Sequence, residues 1–144
     1  MWRERILSCC ASAEFLPPCS QETLAFAERA LAVRLPSELR ELLLESDGVL
    51  GEYGLGLIWP AQRIQEDNLR FRCSPEFREL YMSFEPLLFF ADAGNGDQFA
   101  FAITGGVVRR PDIFVWHHEN DSRAWVAPSL ERYLEWWLLG TLKL

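Results

Sequence analysis

The stretch FFADAGNGDQFAFAIT, residues 89–104, sets two apolar runs around a small acidic turn. Read as a hairpin, it makes the second half of the chain an antiparallel sheet. Read as a ligand loop, it turns Asp92 and Asp97 into metal or phosphate ligands. The residues favour the hairpin: Asn95-Gly96 is a strong turn signal because both residues reach positive φ at little cost. Asp92 and Asp97 can then accept hydrogen bonds from backbone N–H groups at the bend. Phe99, Phe101 and Ile103 share one face of the following strand, and Ala100 and Ala102 the other. Counted from Asp92 as a calcium loop, position 3 is Gly94, position 5 is Gly96 and position 12 is Ile103, where oxygen ligands are required. A phosphate cradle fails as well, since no GxxxxGK follows and a GxGxxG begun at Gly94 ends on Phe99.

Working outward, Leu87–Ala91, Gln98–Thr104, Val107–Arg109 and Ile113–His117 are expected as strands, with Gly105-Gly106 making a tight turn. The first half has helical spacing instead. Trp2 and Ile6 suit a short opening helix. Ser20 caps a second helix with Leu24, Ala27 and Leu31 on one side, and Pro36 opens a third with Leu35, Leu39, Leu42 and Leu43, closed by Asp47-Gly48. Gly54–Trp59 is expected as a strand, Pro60 to about Arg72 as a helix, and Ser74-Pro75 as the start of another running to Phe84. A last helix begins at Ser129 and stops at Gly140. Helices, then an antiparallel sheet, then a covering helix make an α+β fold: a central, mainly antiparallel sheet packed by the N-terminal helices and the C-terminal helix. The length of 144 residues suits a single domain spanning 1–144.

Composition narrows the function. Net charge is −7, with −3 on residues 1–72 and −4 on residues 73–144, so the acidity is spread rather than gathered in a tail. Thirteen of the fourteen basic residues are arginine, scattered one or two at a time. Nucleic acid binding draws on clustered cations, and no cluster stands in the sequence. Cys9, Cys10, Cys19 and Cys73 form no CxxC pair and have no histidine nearby, so they read as reduced thiols of a cytoplasmic protein rather than zinc ligands. The opening MWRERILSCCASAEF is too short an apolar run for a cleaved signal, and no run approaches a membrane span.

Two further segments could carry chemistry. WHHENDSR, residues 116–123, offers His117, His118, Glu119 and Asp121 as ligands or an acid–base pair. HExxH is absent, and on a strand the two histidines are expected to point to opposite faces. Neither GxSxG nor a Cys–His neighbour pair occurs. The aromatic residues Tyr53, Trp59, Trp116 and Trp125 flank these segments, as interface anchors or as core.

LAVRLPSELRELLLESDGVL, GLGLIW, LLFFADAGNGDQFAF and IFVWHHENDSRAWVAPSLERYLEWW, in this order, resemble the SUKH superfamily, which includes bacterial immunity proteins and fungal cell-wall-assembly regulators. The resemblance runs from about residue 20 to residue 139. Its pattern falls on Leu35-Pro36, Asp47-Gly48, Gly96-Asp97, His118-Glu119 and Ser129, with Asp47 where the family usually has asparagine. It implies an α+β domain that works by binding proteins and brings no catalytic residue set. The expectation is therefore a non-enzymatic immunity protein, with no cofactor and no metal, that covers a co-encoded toxin bearing a basic surface. Tyr53, Trp59 and Trp116 are the aromatic candidates for that interface, and Asp92, Asp97 and Glu119 the charged ones. A regulatory scaffold is the alternative, as is a small-ligand or hydrolytic domain built on Asp97, His118 and Glu119.

Overall fold

Most of the helices start where side chains can satisfy their free N–H groups. The computed structural model describes residues 1–144. In chain order it contains α1 (Trp2–Cys9), β1 (Glu14–Phe15), α2 (Gln21–Leu31), α3 (Ser37–Glu45), β2 (Val49–Leu50), a 3-10 turn (Glu52–Gly54) and β3 (Gly56–Ile58). There follow α4 (Ala61–Cys73), α5 (Pro75–Leu80), β4 (Leu87–Asp92), β5 (Gln98–Ala102), β6 (Ile113–His117), β7 (Ser122–Ala127) and α6 (Leu130–Leu138). Ser20, Ser74 and Ser129 cap α2, α5 and α6 by accepting from the N–H three residues on, at 3.1, 3.4 and 3.2 Å. The cap of α4 comes from a distance: Asp47 Oδ1 accepts from Ala61 N at 2.8 Å. Asp47 thus ties the turn after α3 to the start of α4.

The strands form two antiparallel sheets, β1-β2-β3 and the meander β4-β5-β6-β7, where one central sheet was expected. Trp59 N donates to Phe90 O at 2.8 Å and links the end of β3 to β4. The register of β4 against β5 slips between Phe89 and Ala91, leaving Phe90 as an extra residue. At this bulge the outer edge of β4 is completed by a side chain. Asn68, buried on α4, accepts from Phe89 N at 2.8 Å and donates to Phe89 O at 2.9 Å and Ile64 O at 2.7 Å. Its amide offers one donor and one acceptor to Phe89, as a neighbouring strand would.

Both faces of the meander are covered, which explains why Leu87–Ala91 is continuously apolar rather than alternating. On one face α6 lays Tyr133 against Phe90 and Phe99, and Trp137 against Phe99. On the other, Phe71, Phe77, Tyr81 and Phe84 from α4, α5 and the segment after it surround Phe89 and Trp116. The small Ala100 stands opposite Phe89 and leaves room for these rings. No helix is long and apolar enough to cross a membrane.

Three local expectations change. Val107–Arg109 is not a strand: Gly105 and Gly106 turn the chain at φ +60° and +78°, but only a single bridge joins Thr104 to Val107. Helix α5 stops at Leu80, and Phe84 reaches the aromatic cluster from a loop. Ser122–Ala127, absent from the expected strands, is a full edge strand.

Candidate protein-binding site

In an antiparallel meander the first and third turns lie at the same end. The Ala93–Asp97 turn and the His118–Asp121 turn are therefore neighbours. The first is the expected bend: Ala93 N donates to Asp97 O at 3.0 Å, and Asn95 Oδ1 accepts from Asp97 N at 3.1 Å. The Asp97 side chain turns inward and is only 6% exposed. Its Oδ1 accepts from His118 N at 3.0 Å and lies 2.6 Å from His118 Nδ1, while Oδ2 lies 2.9 Å from His117 Nδ1. Burial pushes this carboxyl up, but hydrogen bonds from His118 and then His117 outweigh it and hold the pKa at about 2. An ionised Asp97 requires each ring to carry its proton on Nδ1. His117 and His118 were expected on opposite faces. They converge because His117 is the last residue of β6 and His118 already belongs to the turn.

Gly96 lies against this lock at φ +96°, and a Cβ there would come within 2.9 Å of His118 Cε1. The ring is pinned by Asp97 and cannot swing aside. Gly96→Ala is expected to cost about 1–3 kcal/mol, read as a lower urea midpoint. Gly96→Asn should not rescue it, although asparagine tolerates positive φ, because its Cβ meets the same ring.

Asp92 and Asp121 are pinned in the same manner. Arg63 grips Asp92 with two N–H groups at 2.8 and 2.9 Å, reaches Asp67 at 3.1 Å, and stacks 4.1 Å above the Trp59 ring. Asp121, at φ +60°, accepts from Met82 N and Trp116 Nε1, both at 2.8 Å, and from Arg123 at 3.1 Å. Burial raises the Asp121 carboxyl, and these bonds, led by Met82 N, bring it below the usual carboxylate range. Tyr81 closes the second turn by donating to His118 O at 3.2 Å.

The expected interface residues thus divide. Trp59 is fully buried and Trp116 is 4% exposed, so both are core residues rather than surface anchors. Asp97 and the half-buried Asp92 spend their charge on internal partners. Tyr53 is fully exposed at the tip of the β2–β3 loop, in the left-handed region at φ +58°, and Glu119 is exposed on the neighbouring turn. The two regions adjoin, since Leu55 Cδ1 lies 3.4 Å from where a Cβ on Gly94 would stand. Segments 52–55, 92–97 and 117–121 carry five carboxylates and no lysine or arginine. Arg63 and Arg123 reach in from neighbouring elements, so this end keeps an acidic excess. Arg63 and Tyr81 were not singled out from the sequence, and Asp121 was weighed there only as a ligand or acid–base group, not as the anchor of this turn. A legible trace existed only for Asp121, which follows Asn120 in a polar run suited to a left-handed turn.

A family model described as SMI1-KNR4 cell-wall (SUKH_6) matches residues 21–134, from the start of α2 into α6. No curated protein matches the chain.

Proposed function

Because the chain belongs to the SMI1-KNR4 family of the SUKH superfamily, we propose that it is a non-enzymatic protein-binding domain, an immunity protein that neutralises a co-encoded toxin. Docking runs through the end of the sheet that carries Tyr53, Glu52 and Glu119. The observation behind this reading is Tyr53, a large amphipathic side chain held fully in solvent by a strained backbone beside a rigid double turn. A tyrosine so displayed loses little conformational freedom on binding, and tyrosine is enriched among residues that dominate interface energies. The acidic excess around it suits a toxin whose active surface is basic, as that of a nuclease is, and speeds encounter with it.

Tyr53→Ala is expected to leave thermal stability unchanged, because the ring touches solvent alone. It should weaken binding of the toxin by about 30-fold, the size of a hot-spot truncation near 2 kcal/mol. Titration calorimetry with a catalytically inactive form of a neighbour-encoded toxin measures this. Failure of the protein to bind any such toxin would remove the immunity reading.

The family description favours a second reading, a regulatory scaffold for cell-wall enzymes. Deleting the gene separates the two. A scaffold mutant changes growth or wall integrity with no toxin present, whereas loss of immunity harms cells only when they are exposed to the toxin.

A further inference from the structure

The arginines that the sequence scatters are gathered by the fold at the opposite end of the sheet. Arg29 lies in the last turn of α2, and Arg34 follows after Ala32 turns the chain at φ +54°. Both are exposed and line a cleft of about 460 Å³, whose other wall is Gly106 and Val107 of the β5–β6 connection. Arg109 folds back on that connection, donating to Thr104 O at 3.2 Å. Its NH2 lies 3.5 Å from where a Cβ on Gly105 would stand. Arg72 enters from α4 and donates to the Leu31 carbonyl at the end of α2 at 3.1 Å.

No carboxylate lies within 4 Å of any of these four arginines, whereas the half-buried Arg40 and Arg123 each have one and Arg63 has two. The cleft's own carboxylate, Glu28, is already engaged by Arg40 at 2.6 Å and Leu35 N at 2.8 Å. The C-terminal dipole of α2, about half an elementary charge, offsets at most a fraction of four cations. In a chain of net charge −7, the exposed Arg29, Arg34 and Arg109 have no ion-pair partner, whereas Arg72 also feels Glu85.

We infer that this cleft is a second docking site, which takes an acidic segment of a protein partner. Its carboxylates bridge Arg29, Arg34 and Arg109, and an apolar side chain of the segment packs on the exposed Val107. A short acidic segment fits the local charge, while an extended polyanion would run onto the acidic remainder of the surface. The inference goes beyond toxin docking and uses none of its residues.

The test is titration of the purified protein, in low salt, with a short acetylated and amidated glutamate-rich peptide containing one leucine, followed by amide NMR shifts. Shifts should gather at residues 29–34 and 104–109 and weaken as salt is added. Arg29→Glu combined with Arg34→Glu should loosen binding by at least about tenfold. Both side chains are exposed and unpaired, so the double variant should melt like the parent, and its toxin binding at the Tyr53 end should be unchanged. The inference is overturned if the double variant binds the peptide equally well, or if the shifts appear at the Tyr53 end. It is also overturned if pyrophosphate or single-stranded DNA fills the cleft while the peptide does not.

Discussion

Asp97→Ala is expected to destabilise the protein by about 3–5 kcal/mol, the usual cost of removing one partner from a buried charged network. The substitution leaves His118 N and two imidazole Nδ1 groups without their acceptor at once. Asp97→Asn should cost less, because its carbonyl oxygen still accepts one bond and a histidine can change tautomer to meet the new donor. The lock also predicts an acid limb. The folded pKa of about 2 lies below the ordinary value of 3.8. The carboxylate's contribution is therefore fully present above about pH 4 and is lost as pH falls from about 4 to about 2. Integrated over that shift it amounts to about 2 kcal/mol. Urea unfolding at neutral pH and along an acid series measures both effects. If Asp97→Asn keeps the parent's slope between pH 4 and pH 2, some other group carries the acid limb. If the proposed immunity role holds, toxin binding should fall together with stability in Asp97→Ala, since the turn beside Tyr53 loses its anchor. In Tyr53→Ala binding alone should fall, which distinguishes a positioning residue from a contact residue.

Asn68→Ala should be equally damaging, at about 3–5 kcal/mol and a melting point lower by about 10 °C or more. Asn68 is 1% exposed, so no water replaces its amide at Phe89 N and Phe89 O. Leucine at 68 should not rescue the fold, because a side chain of similar size leaves the same two backbone groups unpaired. Aspartate can accept from Phe89 N, but it sets a buried charge against the Phe89 and Ile64 carbonyls. Thermal melts and hydrogen exchange at the Phe89 amide report the outcome. A loss below about 1 kcal/mol would contradict the view that a side chain completes the outer edge of β4.

Much of this architecture was legible from spacing. Leu24, Ala27 and Leu31, or Leu130, Tyr133 and Leu134, declare helix faces, and the structure buries each of them. Asn95-Gly96 declares the bend that lies between β4 and β5. Asn68 left a fainter trace as a polar residue on the apolar stripe of Ile64 and Phe71, though the stripe cannot name what the amide pairs with. Strands β1 and β2, two residues each, are too short for any period to register. In β7, the exposed Ala124 and Trp125 break the alternation that would have marked a strand.

From its residues alone, this chain determined its helices, the hairpin and the α+β class, because each rests on contacts within a few positions and on one repeating period. Only the folded molecule decided that Trp59 and Trp116 are core, that Tyr53 stands in solvent, that two adjacent histidines meet one carboxylate, and that dispersed arginines share a cleft. Those outcomes depend on which surfaces the sheet and helices bring together across long stretches of chain. Such pairings have no period, so they leave no mark on the order of residues.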